Sequence, residues 1–193
     1  YLKKDENIKV NAEDILVTVG TQEALSIAVI TLCDKENDVI IVEDPTYIGL
    51  THLSIILGYN VEPVPVNTDG ISLEILEEKI IQNRKKGKKV KLVYVIPDYQ
   101  NPTGNSMPIE NRVQLLKLAD KYDFFILEDN AYGEFIYKGA KNLSLKALDV
   151  NKKVIYMRSF SKTLYPSLRI GVMAVNQLIN LDGEKVALSN LMA

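Results

Sequence analysis

The sequence predicts an α/β fold: a three-layer α/β/α sandwich around a mostly parallel sheet of roughly seven strands. Two observations carry that expectation. Short apolar runs alternate with segments of helical period along nearly the whole chain. Most of the runs are continuous Val/Ile/Leu stretches without polar alternation, as strands must be when helices cover both faces of their sheet.

The apolar runs are Ile15–Val19, Val39–Val42, Val61–Val66, Val90–Ile96, Phe124–Leu127, Val154–Met157 and Ile170–Val175. Between them, Glu23–Leu32, Tyr47–Leu57, Leu73–Arg84 and Ile109–Tyr122 read as helices. In the third, Leu73, Leu76, Ile80 and Ile81 share one face, Ser72 precedes it as an N-cap, and Gly87 with its lysines closes it. Strand and helix in strict succession imply right-handed parallel crossovers. No repeat, low-complexity tract or linker divides the chain. Its ends look cut: it opens abruptly and stops at Ser189–Ala193, within a starting helix, so a piece of a longer protein is expected.

Composition narrows the function classes. Of 193 residues, 47% are hydrophobic and 25% charged, the balance of an ordinary soluble globular protein. The 23 Lys plus Arg against 25 Asp plus Glu give a formal charge of -2, with no basic excess to recommend nucleic acid or an anionic membrane. The basic cluster Arg84–Lys89 reads as a solvated helix end. No apolar run reaches the roughly 18 residues that span a bilayer, and no signal peptide opens the chain. The single cysteine, Cys33, leaves no intramolecular disulfide or cysteine metal cluster, reads as a small buried apolar residue, and suggests a reducing, cytoplasmic compartment. No metal site is expected, and the only histidine, His52, reads as an ordinary helix residue.

Sheets of this class take ligands beyond the carboxyl ends of their strands, so the segments that follow the strands matter most. After the first run, Gly20-Thr21-Gln22 turns straight into a helix, whose free N–H groups suit a phosphate; an ordinary helix cap would use the same residues. After the second, Tyr47 opens a helix and could stack on a planar ring or simply pack. After Val90–Ile96, the loop Pro97-Asp98-Tyr99-Gln100-Asn101-Pro102-Thr103-Gly104 is stiffened by two prolines and a glycine and immobilises the Asn101 carboxamide; a plain turn is the alternative. Asp129 follows the fifth run, where a carboxylate needs a cation or strong donors unless it faces water, and Tyr132 comes three residues later. After the sixth, Ser159-Phe160-Ser161-Lys162 places a lysine between hydroxyls, with Arg169 at the mouth of the next strand. Such a lysine can form an imine with an aldehyde cofactor, and such an arginine offers a fork to a phosphate; Ser159 could equally be satisfied locally.

In their order and spacing, Asn101-Pro102-Thr103-Gly104, then Asp129 and Tyr132, then Ser159-Phe160-Ser161-Lys162 with Arg169, resemble the fold-type I pyridoxal-5'-phosphate (PLP) dependent aminotransferases of class I/II, over nearly the whole chain. The phrasing around Gln100-Asn101-Pro102 and Ser159–Lys162 is closest to the branch of 2-aminoadipate and kynurenine aminotransferases and the aminotransferase-like domains of MocR-type regulators.

That resemblance implies roles. Lys162 would carry PLP as an internal Schiff base and shuttle the substrate's proton. Asp129 would pair with the pyridine nitrogen. Asn101 and Tyr132 would contact the phenolic oxygen, and Tyr47 would stack on the ring. Gly20, Thr21, Gln22, Ser159, Ser161 and Arg169 would cradle the phosphate. It also implies amino acid and 2-oxo acid substrates, a homodimer with sites at its interface, and a large domain lacking the N-terminal arm and the C-terminal small domain with its substrate-carboxylate arginine. A piece so truncated is expected to be inactive alone. The alternatives are the effector domain of a MocR/GntR-type regulator, whose DNA would be held by another domain, and a fold-type I lyase or decarboxylase.

Overall fold

The computed structural model of the chain describes residues 2–135 and 142–193. A short helix α1 (Leu2–Asp5) leads into β1 (Ile15–Thr18), α2 (Thr21–Leu32), β2 (Asp38–Asp44), α3 (Ile48–Ile56), β3 (Asn60–Asn67), β4 (Gly70–Ile71), α4 (Leu73–Lys85) and β5 (Lys89–Val95). Then follow α5 (Ile109–Tyr122), β6 (Phe125–Asp129), α6 (Leu145–Leu148), β7 (Val154–Ser159), β8 (Gly171–Ala174), β9 (Leu178–Leu181), β10 (Glu184–Ala187) and α7 (Leu188–Met192). All seven apolar runs are strands and all four periodic segments are helices.

The main sheet has eight strands in the order β1-β8-β7-β6-β5-β2-β3-β4. The run from β7 to β3 is parallel throughout. β8 lies antiparallel between β7 and β1, and the two-residue β4 pairs antiparallel with β3. The eighth strand is β4, too short to show a period. The hairpin β9–β10 forms a separate two-stranded sheet, also unexpected, turning at Asp182-Gly183 with φ of 52° and 90°. Two positive φ values are what a two-residue hairpin turn demands.

Continuous apolar strands are explained by the two cores. Ile40 and Val42 of β2, Leu92 and Tyr94 of β5, and Leu127 of β6 face Leu25, Ala28 and Val29 of α2 and Leu50 of α3. Their sequence neighbours Val39, Ile41, Val93, Val95 and Ile126 face Leu76 and Ile80 of α4 and Leu115 and Ala119 of α5. Each buried Val, Ile or Leu among them contributes about 1.5–3 kcal/mol, so both faces hold the sheet.

Local signals close the helices as read. The Ser72 hydroxyl accepts the Ile75 N–H, and Gly87, at φ 76°, donates its N–H to the Arg84 carbonyl. In the basic cluster, Lys85 and Lys86 are exposed and Lys88 is half-buried, and Arg84 stacks over the Tyr122 ring and donates to its carbonyl. Among the described residues, no helix is long and apolar enough to cross a membrane, and no cluster of side chains could hold a metal.

Topology places the site. β8 runs opposite to β7 and β1, so its amino end adjoins their carboxyl ends: Gly171 is paired with both Ser159 and Thr18. Arg169, just before β8, thereby reaches the same end of the sheet as the residues that leave β1, β2, β5, β6 and β7.

Candidate functional site

A cavity of about 250 Å³ opens at that end. Ten of the eleven residues singled out in the sequence line it; the eleventh, Gly20, lies against one of them.

The first wall is the turn from β1 into α2. Gly20 caps the helix at φ 74° without a side-chain hydrogen bond, so the first-turn N–H groups of α2 remain without a capping side chain beside Thr21 and Gln22. The Thr18 hydroxyl donates to the Gly20 carbonyl at 3.0 Å and fixes the turn. Glycine is required twice here. A Cβ on Gly20 would stand 2.5 Å from Nη2 of Arg169, and one on Gly171 would stand 2.9 Å from the Gly20 carbonyl carbon.

The second wall is Tyr47, at the start of α3, whose hydroxyl donates to Gln22 Oε1 at 3.5 Å. The third is Ile96 with Asn101, on the loop after β5. The Asn101-Pro102 peptide bond is cis, as is Asp44-Pro45. Buried Arg112 of α5 ties the two ends of this loop together. Its Nε donates to Met107 O, Nη1 to Asp98 Oδ2 and Leu143 O, and Nη2 to Asp98 Oδ1 and Pro97 O, at 2.6–3.1 Å. All five guanidinium N–H groups are thus used.

Asp129 ends β6 and forms the base of the cavity, only 5% exposed. Its Oδ2 accepts a 2.8 Å hydrogen bond from the Tyr94 hydroxyl, while its buried Oδ1 has no partner. Burial pushes this carboxyl up to about 6, against the pull of the Tyr94 hydroxyl toward the ionised form. Tyr132 follows on a turn pinned by Asn130, which accepts from Gly133 N and donates to the Tyr156 hydroxyl.

The last wall is Ser159, Ser161, Lys162 and Arg169. Ser159 Oγ accepts the Ser161 N–H at 3.2 Å, so it is satisfied locally while still facing the cavity. Among the described residues, the side chains of Lys162 and Arg169 make no hydrogen bond or ion pair. An ammonium, a guanidinium and a carboxylate with one open oxygen therefore border one hollow without neutralising each other. That arrangement suits a ligand carrying an electrophile, an anion and a proton donor.

Three contributors were not singled out from the sequence. Tyr94 sits within an apolar strand and reads as core; only its pairing with Asp129 reveals it. Glu43 and Arg112 are buried charges on segments whose periodicity reads correctly without them.

Comparison with known proteins places these features in one family. The model of aminotransferase class I and II matches residues 1–192. The chain is 41% identical over 176 residues to aromatic-amino-acid aminotransferase 1 of Thermococcus litoralis, covering 90% of this chain and 42% of that protein. It is 35% identical over 190 residues to the probable rhizopine catabolism regulatory protein MocR of Rhizobium meliloti, covering 98% of this chain and 36% of that one. The fold superposes on the crystal structure of Pyrococcus horikoshii kynurenine aminotransferase, in complex with PMP, with a TM-score of 0.83 and 39% identity over 89% of this chain and 42% of that one. The chain thus spans less than half the length of these relatives. The branch named from the motif phrasing is represented by its 2-aminoadipate and kynurenine aminotransferases and by MocR-type regulators. By sequence, fold and the residues gathered in its cavity, the chain belongs to the class I and II aminotransferase family.

Proposed function

We propose that the protein containing this chain is a PLP-dependent aminotransferase that exchanges an amino group between an amino acid and a 2-oxo acid, and that residues 1–193 are its cofactor-binding large domain. The carrying observation is the convergence of the unpaired Lys162 amine, the open Asp129 oxygen and Arg169 beside the N-terminus of α2 on one cavity. The residues present fit the cofactor: the buried, partnerless Oδ1 of Asp129 matches a ring N–H. The Gly20–Thr21 turn under Arg169, where a Cβ would intrude, matches a phosphate.

When bound, PLP supplies an aldehyde that captures a primary amine and a protonated ring nitrogen that draws electron density from the substrate's α-carbon. The chain's own groups do the rest. Lys162 Nζ would hold the cofactor and would take and return the proton of the substrate's α-carbon. Asp129 keeps the proton on the ring nitrogen; a cation beside it favours its ionised form and offsets the effect of burial. Tyr94 holds Asp129 in place. Tyr47 covers the ring face, Asn101 and Tyr132 reach the phenolic oxygen, and Gly20, Thr21, Gln22, Ser159, Ser161 and Arg169 hold the phosphate.

The substrate-carboxylate arginine, the small domain and the N-terminal arm belong to the rest of the protein. The working unit is a homodimer. Val19, Leu164, Tyr165 and Leu168, each at least 54% exposed, flank the cavity segments and would be covered by a partner. The protein acts in the cytoplasm, the compartment suggested by the single, buried cysteine of this chain. A second reading is the effector domain of a MocR-type regulator, favoured by the match to MocR over 98% of the chain. A basic helix-turn-helix segment upstream in the same protein would select it.

The test is a single turnover of the intact protein. A visible cofactor band should bleach on adding an amino acid, with one keto acid formed per site. Release of carbon dioxide, or of ammonia with a thiol, would assign a decarboxylase or lyase instead. No cofactor band at all would overturn the reading.

A further inference from the structure

Outside the residues that face the cavity, the least expected group in the molecule is Glu43. It lies near the end of β2, 1% exposed, and no cation partners it among the described residues. Its Oε2 accepts the Ile96 N–H at 3.1 Å and the Gln100 side-chain amide at 3.1 Å, while its buried Oε1 has no partner. The neighbouring titratable groups, Asp129 and the Tyr94 hydroxyl, bring no positive charge. A charge buried in that setting is far costlier than a neutral acid, and burial pushes this carboxyl up to about 8.

Gln100 uses the rest of its amide to join two loops. The same Nε2 donates to the Pro45 carbonyl at 2.7 Å, and Oε1 accepts from Thr103 N at 3.0 Å and Thr103 Oγ1 at 2.9 Å. Pro45 lies two residues before Tyr47, and Gln100 lies one before Asn101. Each loop thus carries one cavity wall.

We propose that Glu43 and Gln100 form a clasp that sets the spacing between the Tyr47 and Asn101 walls, and so act as positioning residues for the cofactor ring. The inference rests on the proposed cofactor. It distinguishes the two parts of the site: the clasp governs the ring walls, while the phosphate turn of Gly20–Gln22 and Arg169 makes no direct bond to it and meets α3 only through Gln22, at Tyr47 and the Gly49 carbonyl.

The test uses the intact protein, freed of cofactor, with PLP and inorganic phosphate each titrated separately. Glu43→Gln, which keeps a neutral acceptor, should bind PLP within about twofold of wild type. Glu43→Leu, Gln100→Leu and the milder Gln100→Asn, one carbon too short to bridge, should each weaken PLP by about tenfold while leaving phosphate binding unchanged. The Glu43→Leu/Gln100→Leu double variant should be no worse than either single one. If the Leu variants do not fold, Gln100→Asn carries the test. Wild-type PLP affinity in Gln100→Asn, equal loss of PLP and phosphate, or a Glu43→Gln as weak as Glu43→Leu would each overturn the clasp. Wild-type protein that binds no PLP would instead sink the functional reading. In that case a double-mutant cycle on urea unfolding, over Glu43→Ala, which removes the acceptor, and Gln100→Asn, decides the clasp: coupling upholds it and additivity overturns it.

Discussion

Two buried acids stand side by side at the end of β6, and the sheet sends them to opposite fates. Glu128 points to the α5–α6 side. Its two oxygens accept the Leu145 and Lys146 N–H groups at 2.8 Å, and nearby Arg112 has all five N–H groups bonded. Asp129 points to the other side, where one oxygen is open and the cations at the rim, Lys162 and Arg169, are unpaired. Of these two acids, the saturated one builds the fold and the unsaturated one faces the cavity. The contrast separates architecture from chemistry within two consecutive residues.

The contrast can be broken most forcefully at Arg112. Arg112→Met should lower unfolding free energy by about 3–5 kcal/mol, because it removes five hydrogen bonds and leaves the half-buried Asp98 carboxylate and the Met107 carbonyl without that donor. Chemical denaturation of the cofactor-free protein measures it, and a neutral result would mean the saturated side is not structural.

Asp129→Asn should do the reverse. Turnover should fall about 10²-fold, while the cofactor-free protein near neutral pH should melt no lower than wild type, since a buried charge with an open oxygen is removed. A variant that lost stability but kept single-turnover rates would reassign Asp129 to the fold.

Acidity sharpens the comparison. Burial raises Asp129 to about 6, Glu128 to about 7 and Glu43 to about 8, from ordinary values near 4. The folded chain therefore binds more protons than the unfolded one between those limits, and the stability these neutral acids provide is lost as pH rises through the folded values. Cofactor-free protein should melt several degrees lower at pH 8 than at pH 5, roughly 5 °C or more. PLP should narrow the difference by favouring the ionised Asp129. A melting point that rises over that range would contradict these assignments.

The smallest effect belongs to Tyr94→Phe. Losing its hydroxyl removes a hydrogen bond that favours ionised Asp129, so the acid limb of the turnover profile should move to higher pH. Turnover at neutral pH should fall about fivefold. An unmoved acid limb would detach Tyr94 from the site.

The difference between the two regions also explains what could be read from the sequence. β2, β5, β6 and β7 were legible because burial on both faces leaves them uninterrupted apolar runs. The cavity was legible because its parts follow strand ends in motif order, from Gly20 to Arg169. The short β4, entered through the Thr68-Asp69 turn, and the β9–β10 hairpin were not, although Asp182-Gly183 is the turn dipeptide such a hairpin uses. Tyr94, Glu43 and Arg112 were hidden for another reason. Their roles depend on partners 35 residues away for Tyr94, 57 for the Glu43–Gln100 bond and up to 31 for Arg112, and no local period encodes a contact across the sheet.

The central claim is that the unsaturated end of the sheet is where an aldehyde cofactor is tethered. Borohydride reduction of the PLP-loaded intact protein, followed by peptide mapping, tests it most directly. The adduct should lie on Lys162 alone, and Lys162→Ala should retain no reducible label. A label on another lysine, or one that survives in Lys162→Ala, would contradict the account.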